Sequence, residues 1–201
     1  FLGLTYTPVL IGSLNLLVAS LVLWHFSTHL TRPRVLNIQF AILLIISVLA
    51  FSVAKPIVLY GEQHKYKDKI IYQEQTRYQK IVVTQWKDNF WLFINGSTQF
   101  STYDEERYHE PLVHPIMSLL KERKDILLLG AGDGLAAREI LKYSDVESLT
   151  LVDLDPAMTR LARQHKMFLR VNQGSLNDPR VRVLNKDAYQ FMKESSDLYD
   201  A

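Results

Sequence analysis

The sequence contains no cysteine. This absence excludes a disulfide framework, a thiolate metal site and a cysteine nucleophile, and it suits a reducing compartment. An excess of one charge is also lacking, because 23 Lys and Arg stand against 21 Asp and Glu, for a net charge of +2. So mild a balance argues against a nucleic-acid partner. The most informative absence is regional: residues from about 8 to 60 carry almost no charge.

Two long apolar runs occupy this uncharged region, at residues 8–26 and 38–54, and the second continues past Lys55 to Tyr60. Each approaches the length of about 20 residues that a bilayer core requires. We therefore predict a membrane region at 1–60 with two transmembrane helices. A buried helical hairpin of a soluble protein is the alternative, but soluble core helices rarely run this long without charge. A signal peptide fits poorly, because no small-residue cleavage site follows.

The orientation of these spans is indicated by the flanking basic residues. The connection 28–34 carries Arg32 and Arg34, whereas four lysines, Lys55, Lys65, Lys67 and Lys69, lie on the other side. The positive-inside rule then favours a cytoplasmic C-terminal region. We expect a multi-pass protein of the cell (inner) membrane, with the lipid bilayer as one partner.

A polar linker is predicted at 61–70, followed by a small β-hairpin domain at 71–102. Strands are expected at 78–83 and 90–94, and a return strand at 97–100. Asn95 and Gly96 form the favoured type I′ hairpin pair between the last two strands.

From 103 to 201 the pattern changes to strands alternating with helices. Short apolar strands are predicted at 125–129, 148–152 and 181–184, which implies a parallel sheet with right-handed crossovers. Asp155 and Pro156 form a good N-cap and N1 pair for one of the helices. Because the chain starts at Phe1 and its last residues resemble the opening of a new strand, we expect a piece cut at both ends. The predicted fold class is thus transmembrane helices, a small antiparallel sheet and an incomplete Rossmann-like α/β domain of the S-adenosylmethionine-dependent transferase type.

A glycine-rich turn, Gly130-Ala131-Gly132-Asp133-Gly134, follows the first of these strands. Such a turn lets a ligand approach the backbone at a helix N-terminus. The dinucleotide fingerprint fails, because Leu135 stands where its third glycine belongs. Asp133 would also repel a pyrophosphate, by roughly 4 kcal/mol at about 4 Å for an effective dielectric constant of about 20. The same carboxylate attracts a sulfonium or ammonium group, so the turn favours a cationic, phosphate-free nucleoside. Stabilisation of the helix N-terminus is the alternative role of Asp133.

Two further carboxylates lie at predicted strand ends. Asp153 follows the second strand about 20 residues after the turn, where a carboxylate accepts hydrogen bonds from a ribose diol. Asp187 follows the third strand, where an adenine amino group could be held. A solvated loop carboxylate for Asp153 and a helix N-cap for Asp187 are the alternatives.

The segment 104–110 is dense in ionisable groups, but it does not predict a metal site. His109 and His114 are five residues apart with Glu110 between them, whereas a His-Glu-x-x-His zinc site needs four. Pro111 is also expected to interrupt the segment. Tyr108 and His109 have a simple alternative role, as solvated residues at a helix start.

Several of these motifs occur in the order and spacing of spermidine synthases, the polyamine aminopropyltransferases. They are Tyr78-Gln79, Asn95-Gly96-Ser97-Thr98-Gln99, Asp104-Glu105, Tyr108-His109-Glu110, Leu129-Gly130-Ala131-Gly132-Asp133-Gly134, Val152-Asp153 and Asp187-Ala188. The resemblance covers roughly residues 70 to 201, and the leading spans resemble the membrane-embedded subgroup.

The resemblance implies roles for nine residues. Asp133 would hold the aminopropyl amine or the methionine-derived tail, Asp153 the ribose hydroxyls and Asp187 the adenine. The other six are the pocket-lining Gln79 and Gln99, the loop glycines Gly130 and Gly132, and Tyr108 and His109, which would face the polyamine channel. The family's catalytic Asp follows the fourth strand and is expected beyond Ala201, so this chain by itself is expected to be inactive.

Two departures from the family pattern concern the nucleoside site. Ala131 and Leu135 replace glycines of a Gly-rich loop, and Asp153 replaces a more common Glu. The implied activity is transfer of an aminopropyl group from decarboxylated S-adenosylmethionine, the co-substrate, to putrescine or a related amine, without a metal; a homodimer is also expected. A membrane-bound methyltransferase that uses S-adenosylmethionine, or a non-enzymatic polyamine or nucleoside sensor, are the alternatives.

Overall fold

The computed structural model describes residues 3–26 and 33–201, which fall into two compact units, Phe1–Lys67 and Asp68–Ala201. The first unit consists of helices α1 (Gly3–His25) and α2 (Pro33–Gln63), which pack against each other. Both are long and apolar enough to cross a membrane, and their most apolar windows bury no residue inside the protein. Most of the predicted basic connection lies outside the described residues.

The second unit begins with a four-stranded antiparallel sheet. Its strands β1 (Lys69–Gln75), β2 (Lys80–Trp86), β3 (Asn89–Ile94) and β4 (Ser97–Ser101) pair in chain order. Asn95 and Gly96 both adopt left-handed backbone conformations, with φ of +52° and +84°, which confirms the predicted type I′ pair.

Strand β1 was not expected from the sequence. Together with the continuation of α2 to Gln63, it leaves a connection shorter than the predicted linker at 61–70. The strand pairs along its length with β2, from Lys69 opposite Gln85 to Gln75 opposite Lys80. The sequence of β1 contains several polar residues and gives no clear strand pattern. Its pairing with β2 is what makes it a strand.

The rest of the unit is a parallel sheet with helices. Strands β5 (Asp125–Leu129), β6 (Ser148–Asp153) and β7 (Val181–Asn185) lie in the order β5-β6-β7, as predicted for a Rossmann-like domain. The helices are α3 (Glu106–Leu119), α4 (Leu135–Ile140), α5 (Pro156–Gln164), α6 (Lys166–Val171) and α7 (Ala188–Glu194), with a 3-10 turn at Ser175–Asn177. The last two residues lie along the other edge of β5, where the Leu127 N–H donates to Ala201 O at 2.8 Å.

Helix α3 corrects one expectation, because it continues through Pro111 and Pro115. An interior proline removes a backbone hydrogen bond and costs about 3 kcal/mol. The buried face of the helix, formed by His109, Val113 and Met117, offsets this cost by packing into the core. Local sequence therefore predicted a break that tertiary packing overrides.

One hydrophobic core lies beneath both sheets of the second unit. Phe90 and Phe100 of the antiparallel sheet pack against each other and against Phe168 of α6, with ring centroids 5.1–6.1 Å apart. The antiparallel sheet is therefore held rigidly beside the carboxyl ends of β5 and β6, where the candidate site lies.

Candidate functional site

A cavity of about 470 Å³ opens where the glycine-rich turn and the ends of β6 and β7 meet the antiparallel sheet. Seven of the nine predicted site residues line it, namely Gln79, Gln99, Gly130, Gly132, Asp133, Asp153 and Asp187. Further lining residues include Tyr78, Asp155, Met158 and Tyr189. The tertiary structure thus brings together groups from five separate parts of the chain.

The glycine-rich turn is fixed by backbone conformation and by close contact. Gly130 and Gly134 have φ of +81° and +83°, and Ala131 shares the left-handed region at +57° without being glycine. A Cβ on Gly132 would lie 2.6 Å from Asp153 Oδ2, so a side chain there would displace that carboxylate. Gly132 is therefore required by its neighbour across the site.

Asp153 is held rigidly at the end of β6. Its Oδ2 accepts a hydrogen bond from the Gly132 N–H at 3.0 Å, and its Oδ1 accepts one from the Asp155 N–H at 2.9 Å. Burial raises its pKa, while these two backbone donors oppose the rise. Each oxygen keeps a lone pair for a second donor, as a ribose diol requires. The alternative of a free loop carboxylate is wrong for this residue.

Asp133 combines a structural contact with an available oxygen. Its Oδ1 accepts from the Leu135 N–H at 2.8 Å, so it does stabilise the start of α4. Its Oδ2 has no hydrogen-bond partner among the described residues. Burial raises the pKa of Asp133, and nearby Asp153 adds to the rise, whereas His109 lowers it. A half-buried carboxylate with one free oxygen is suited to a cationic ligand.

Asp187 and Asp155 are both helix N-caps. Asp187 accepts from the Gln190 N–H at 3.0 Å, and Asp155 from the Ala157 N–H at 3.0 Å. The capping role predicted as an alternative for Asp187 is therefore confirmed, and it is compatible with ligand contact because the side chain also lines the cavity.

Thr76 is a site-supporting residue that sequence reasoning missed. Its hydroxyl lies 2.8 Å from Asp155 Oδ2 and accepts from the Tyr78 and Gln79 N–H groups at 3.0 Å. This contact ties the connection before β2 to the start of α5. The sequence offered no signal for it, because the two partners lie far apart along the chain.

Tyr108 and His109 are not among the residues that line the cavity. Tyr108 is exposed, but His109 is buried, and its Nδ1 lies 2.9 Å from Glu105 O and 3.0 Å from Glu105 Oε2. Since both partners are acceptors, Nδ1 carries the proton. The interpretation of His109 as a solvated helix-start residue is wrong, because tertiary packing turns it into the core.

Glu105 belongs to a buried charge network centred on Arg138. The guanidinium of Arg138 contacts both oxygens of Glu105 at 2.7 and 3.0 Å, and Glu139 Oε1 at 2.8 Å. Glu139 is fully buried and also pairs with His114 and Lys142. The network joins α3 to α4, directly after the glycine-rich turn.

Glu110, His114 and Glu139 offer ligand atoms within 4.8 Å of one another. These three differ from the His109 and His114 pair considered from sequence. Glu139 is already neutralised by Arg138 and Lys142, so ion pairing accounts for its position. We assign no metal to the cluster.

Four aspartates and no Lys, Arg or His occur among the described residues that line the cavity. Such a site repels phosphate and attracts cations. A parallel sheet with a glycine-rich turn and strand-end carboxylates is typical of the class of Rossmann-like α/β domains that bind a nucleoside.

Comparison with known proteins identifies the family within this class. Residues 105–201 match the spermine/spermidine synthase domain. The chain is 42% identical over 200 residues to a polyamine aminopropyltransferase of Oceanobacillus iheyensis, covering all of this chain and 39% of that protein. It is 44% identical over 199 residues to one of Leptospira interrogans, covering 99% of this chain and 40% of that protein. The chain belongs to the spermidine synthase family.

Solved structures agree with this assignment. Spermidine synthase from Thermotoga maritima superposes with a TM-score of 0.61 at 28% identity, over 65% of this chain and 45% of that chain. A spermidine synthase in complex with the transition-state analogue AdoDATO matches equally well. The chain spans about two fifths of the length of these curated relatives.

Proposed function

We propose that this protein transfers an aminopropyl group from decarboxylated S-adenosylmethionine to putrescine or a related amine. The observation that carries the proposal is the acidic cavity, in which Asp133, Asp153 and Asp187 line one space without a cationic side chain among the described lining residues. The relatives named polyamine aminopropyltransferases support it.

In this reaction the amine nitrogen attacks the aminopropyl carbon bonded to sulfur. The C–S bond breaks, its electrons neutralise the sulfonium, methylthioadenosine leaves and the amine loses a proton. Because both substrates carry positive charge, carboxylates must hold them together against their repulsion. Alignment of the nitrogen with the carbon then supplies much of the rate acceleration.

We assign the nucleoside half of the co-substrate to the strand-end carboxylates. Asp153 would bind the ribose diol, Asp187 the adenine, and the free Oδ2 of Asp133 the cationic tail. Gln79 and Gln99, on the opposite wall, would line the tail pocket. We propose the amine side for Tyr108 and His109, since His109 is close enough to Asp133 for its charge to lower the pKa of that carboxyl.

The coproduct distinguishes this proposal from methyl transfer. Amine-dependent release of methylthioadenosine by the full-length gene product supports aminopropyl transfer, whereas S-adenosylhomocysteine would indicate a methyltransferase. Binding without turnover would indicate a sensor. In calorimetry, Asp153→Asn should weaken methylthioadenosine binding by about 1.5–3 kcal/mol, the range for hydrogen bonds to a charged group. Asp197→Asn, an exposed residue away from the cavity, is the matched control.

We also propose that α1 and α2 cross the cell membrane and that residues 68–201 lie on the cytoplasmic side. The long apolar helices and the lysines that follow them support this arrangement. Since the sequence has no cysteine, Lys67→Cys introduces a single label site. An impermeant thiol reagent should label it only in opened cells. Labelling in intact cells would show the opposite orientation. Extraction of the protein by carbonate would argue against membrane-spanning helices. A homodimer stays a prediction.

A further inference from the structure

A turn formed by residues 172–175, here called the support turn, packs two buried side chains, Asn172 and Ser175, against the glycine-rich turn. Asn172 is fully buried, and its Nδ2 donates to Asp133 O and to Ala162 O, each at 3.0 Å. Its Oδ1 accepts from the Gly174 N–H at 2.9 Å. Ser175 is also buried, and its hydroxyl donates to Gly134 O at 2.6 Å. Both N–H donors and one acceptor position of the Asn172 amide are thus used.

These contacts fix two successive carbonyl groups, those of Asp133 and Gly134. A hydrogen bond to Asp133 O orients the peptide plane between these residues, and that plane sets the direction in which the Asp133 side chain leaves the backbone. The side chain is held at one end only, by the Leu135 N–H on Oδ1. The direction of the free Oδ2 therefore depends on the backbone that the support turn holds.

The support turn has an unusual backbone that brings it this close. Gln173 and Gly174 are both left-handed, with φ of +55° and +69°. A non-glycine residue in this region is strained, which indicates that surrounding contacts hold it there. From the other side, a Cβ on Gly134 would lie 2.8 Å from Ser175 Oγ and 3.0 Å from Asn172 Nδ2. The two turns approach so closely that only glycine fits between them.

We propose that Asn172 and Ser175 are positioning residues that aim the Asp133 carboxylate at the cationic tail of the co-substrate. They act through the backbone of Asp133 and Gly134 and do not line the cavity themselves. The inference rests on the proposed function, because it requires a charged ligand. A positioning role differs from a packing role in one measurable respect. If Asn172 and Ser175 position Asp133, their loss should weaken binding of a charged ligand but not of a neutral one.

The test compares two ligands that share the nucleoside, cationic decarboxylated S-adenosylmethionine and neutral methylthioadenosine, by calorimetry on the full chain in detergent. Asn172→Ala and Ser175→Ala should each weaken binding of the cation by about tenfold, or ~1.4 kcal/mol. Binding of the neutral nucleoside should change much less. Ser175→Thr keeps the hydroxyl and should restore cation binding.

Asn177→Ala is the control, because Asn177 lies just after the support turn and its side chain hydrogen-bonds to Arg163 of α5, so neither of these bonds reaches the glycine-rich turn. If Asn172→Ala does not fold, the comparison of Ser175→Ala with Ser175→Thr tests the inference instead. Equal weakening of both ligands, or a lowered melting temperature with unchanged affinities, would show a packing role and overturn the inference. If the unmodified chain binds neither ligand, the proposed function fails as well. Normal wild-type binding with insensitive variants rejects the positioning role alone.

Discussion

Helices α2 and α5 use apolar residues in opposite ways. In α2, Ile45 and Leu49 are 59% and 58% exposed. In α5, Leu161 and Ala162 are 5% and 0% exposed, while Arg160 and Arg163 face outward. In aqueous solvent, an amphipathic helix such as α5 is stabilised by burying its apolar face against the protein. A helix that is apolar on all sides needs an apolar environment instead. This contrast is what the membrane proposal requires, because that proposal places the two units in different solvents.

The largest expected effect lies in the second unit, where charge is buried and paired. Arg138→Met leaves Glu105 and Glu139 buried without their guanidinium partner, which should lower the free energy of unfolding by about 3–5 kcal/mol. The measurement is denaturant unfolding of the chain in detergent, followed by near-UV circular dichroism. Lys124→Met, which breaks an exposed pair with Glu147, should change little. Equal stability of the two variants would mean that the network is not buried as described.

The membrane proposal predicts that the introduction of an arginine is costly in α2 and nearly neutral at an exposed position of the second unit. Ile45→Arg should oppose insertion of α2 by about 2.5–3.5 kcal/mol, the cost of arginine at the centre of a spanning helix. Leu198→Arg, at a residue 92% exposed in the second unit, should be nearly neutral. The fraction of protein retained in membranes after carbonate washing measures both. If Ile45→Arg were retained as well as Leu198→Arg, the exposed apolar surface of α2 would not face lipid.

The third prediction concerns the raised pKa of Asp133. Binding of a cation needs the ionised carboxylate, so affinity should fall about tenfold per pH unit below that raised pKa, and the fall should begin above the pH at which an ordinary Asp titrates. Methylthioadenosine has no charge and should show a much weaker dependence. Calorimetry of both ligands across pH measures the difference. Parallel pH profiles would remove Asp133 from the cationic subsite.

The raised pKa of the Asp133 carboxyl also makes the stability of the fold depend on pH. The folded state holds its proton more tightly than the unfolded state, so the stability contribution of this group falls as pH rises from its unfolded pKa through the raised one. Asp133→Asn removes that loss and should stabilise the chain at neutral pH while it weakens cation binding. Destabilisation at neutral pH would contradict the assignment of burial as the dominant cause.

The smallest expected effect concerns the backbone of the glycine-rich turn. Ala131 is left-handed, a conformation that costs a residue with a Cβ about 1–2 kcal/mol. Ala131→Gly should raise the free energy of unfolding by about 1 kcal/mol or less, because glycine's extra freedom in the unfolded chain offsets part of the gain. Gly130→Ala, at φ of +81° with no atom near its Cβ position, should give a loss of similar size. Thermal melts of the two variants that shift in the same direction would refute this explanation.

The local parts of the fold could be predicted because their signals are local. The apolar runs of α1 and α2, the strands β5 to β7, the Asn95-Gly96 turn and the Asp155 cap each follow from residues adjacent in the chain. Strand β1 and the passage of α3 through Pro111 could not be predicted, since pairing with β2 and packing of His109 against the core decide them.

The candidate site divides in the same way. The shared cavity of Asp133, Asp153 and Asp187 could be predicted from the amino-acid pattern, because parallel strands bring their carboxyl ends to one edge of the sheet. Long-range packing explains why Gly132 must be glycine beside Asp153, why Thr76 holds Asp155 and why Asn172 holds Asp133. These contacts join residues far apart in the chain, and no pattern within one segment specifies which distant backbone groups a buried side chain will meet.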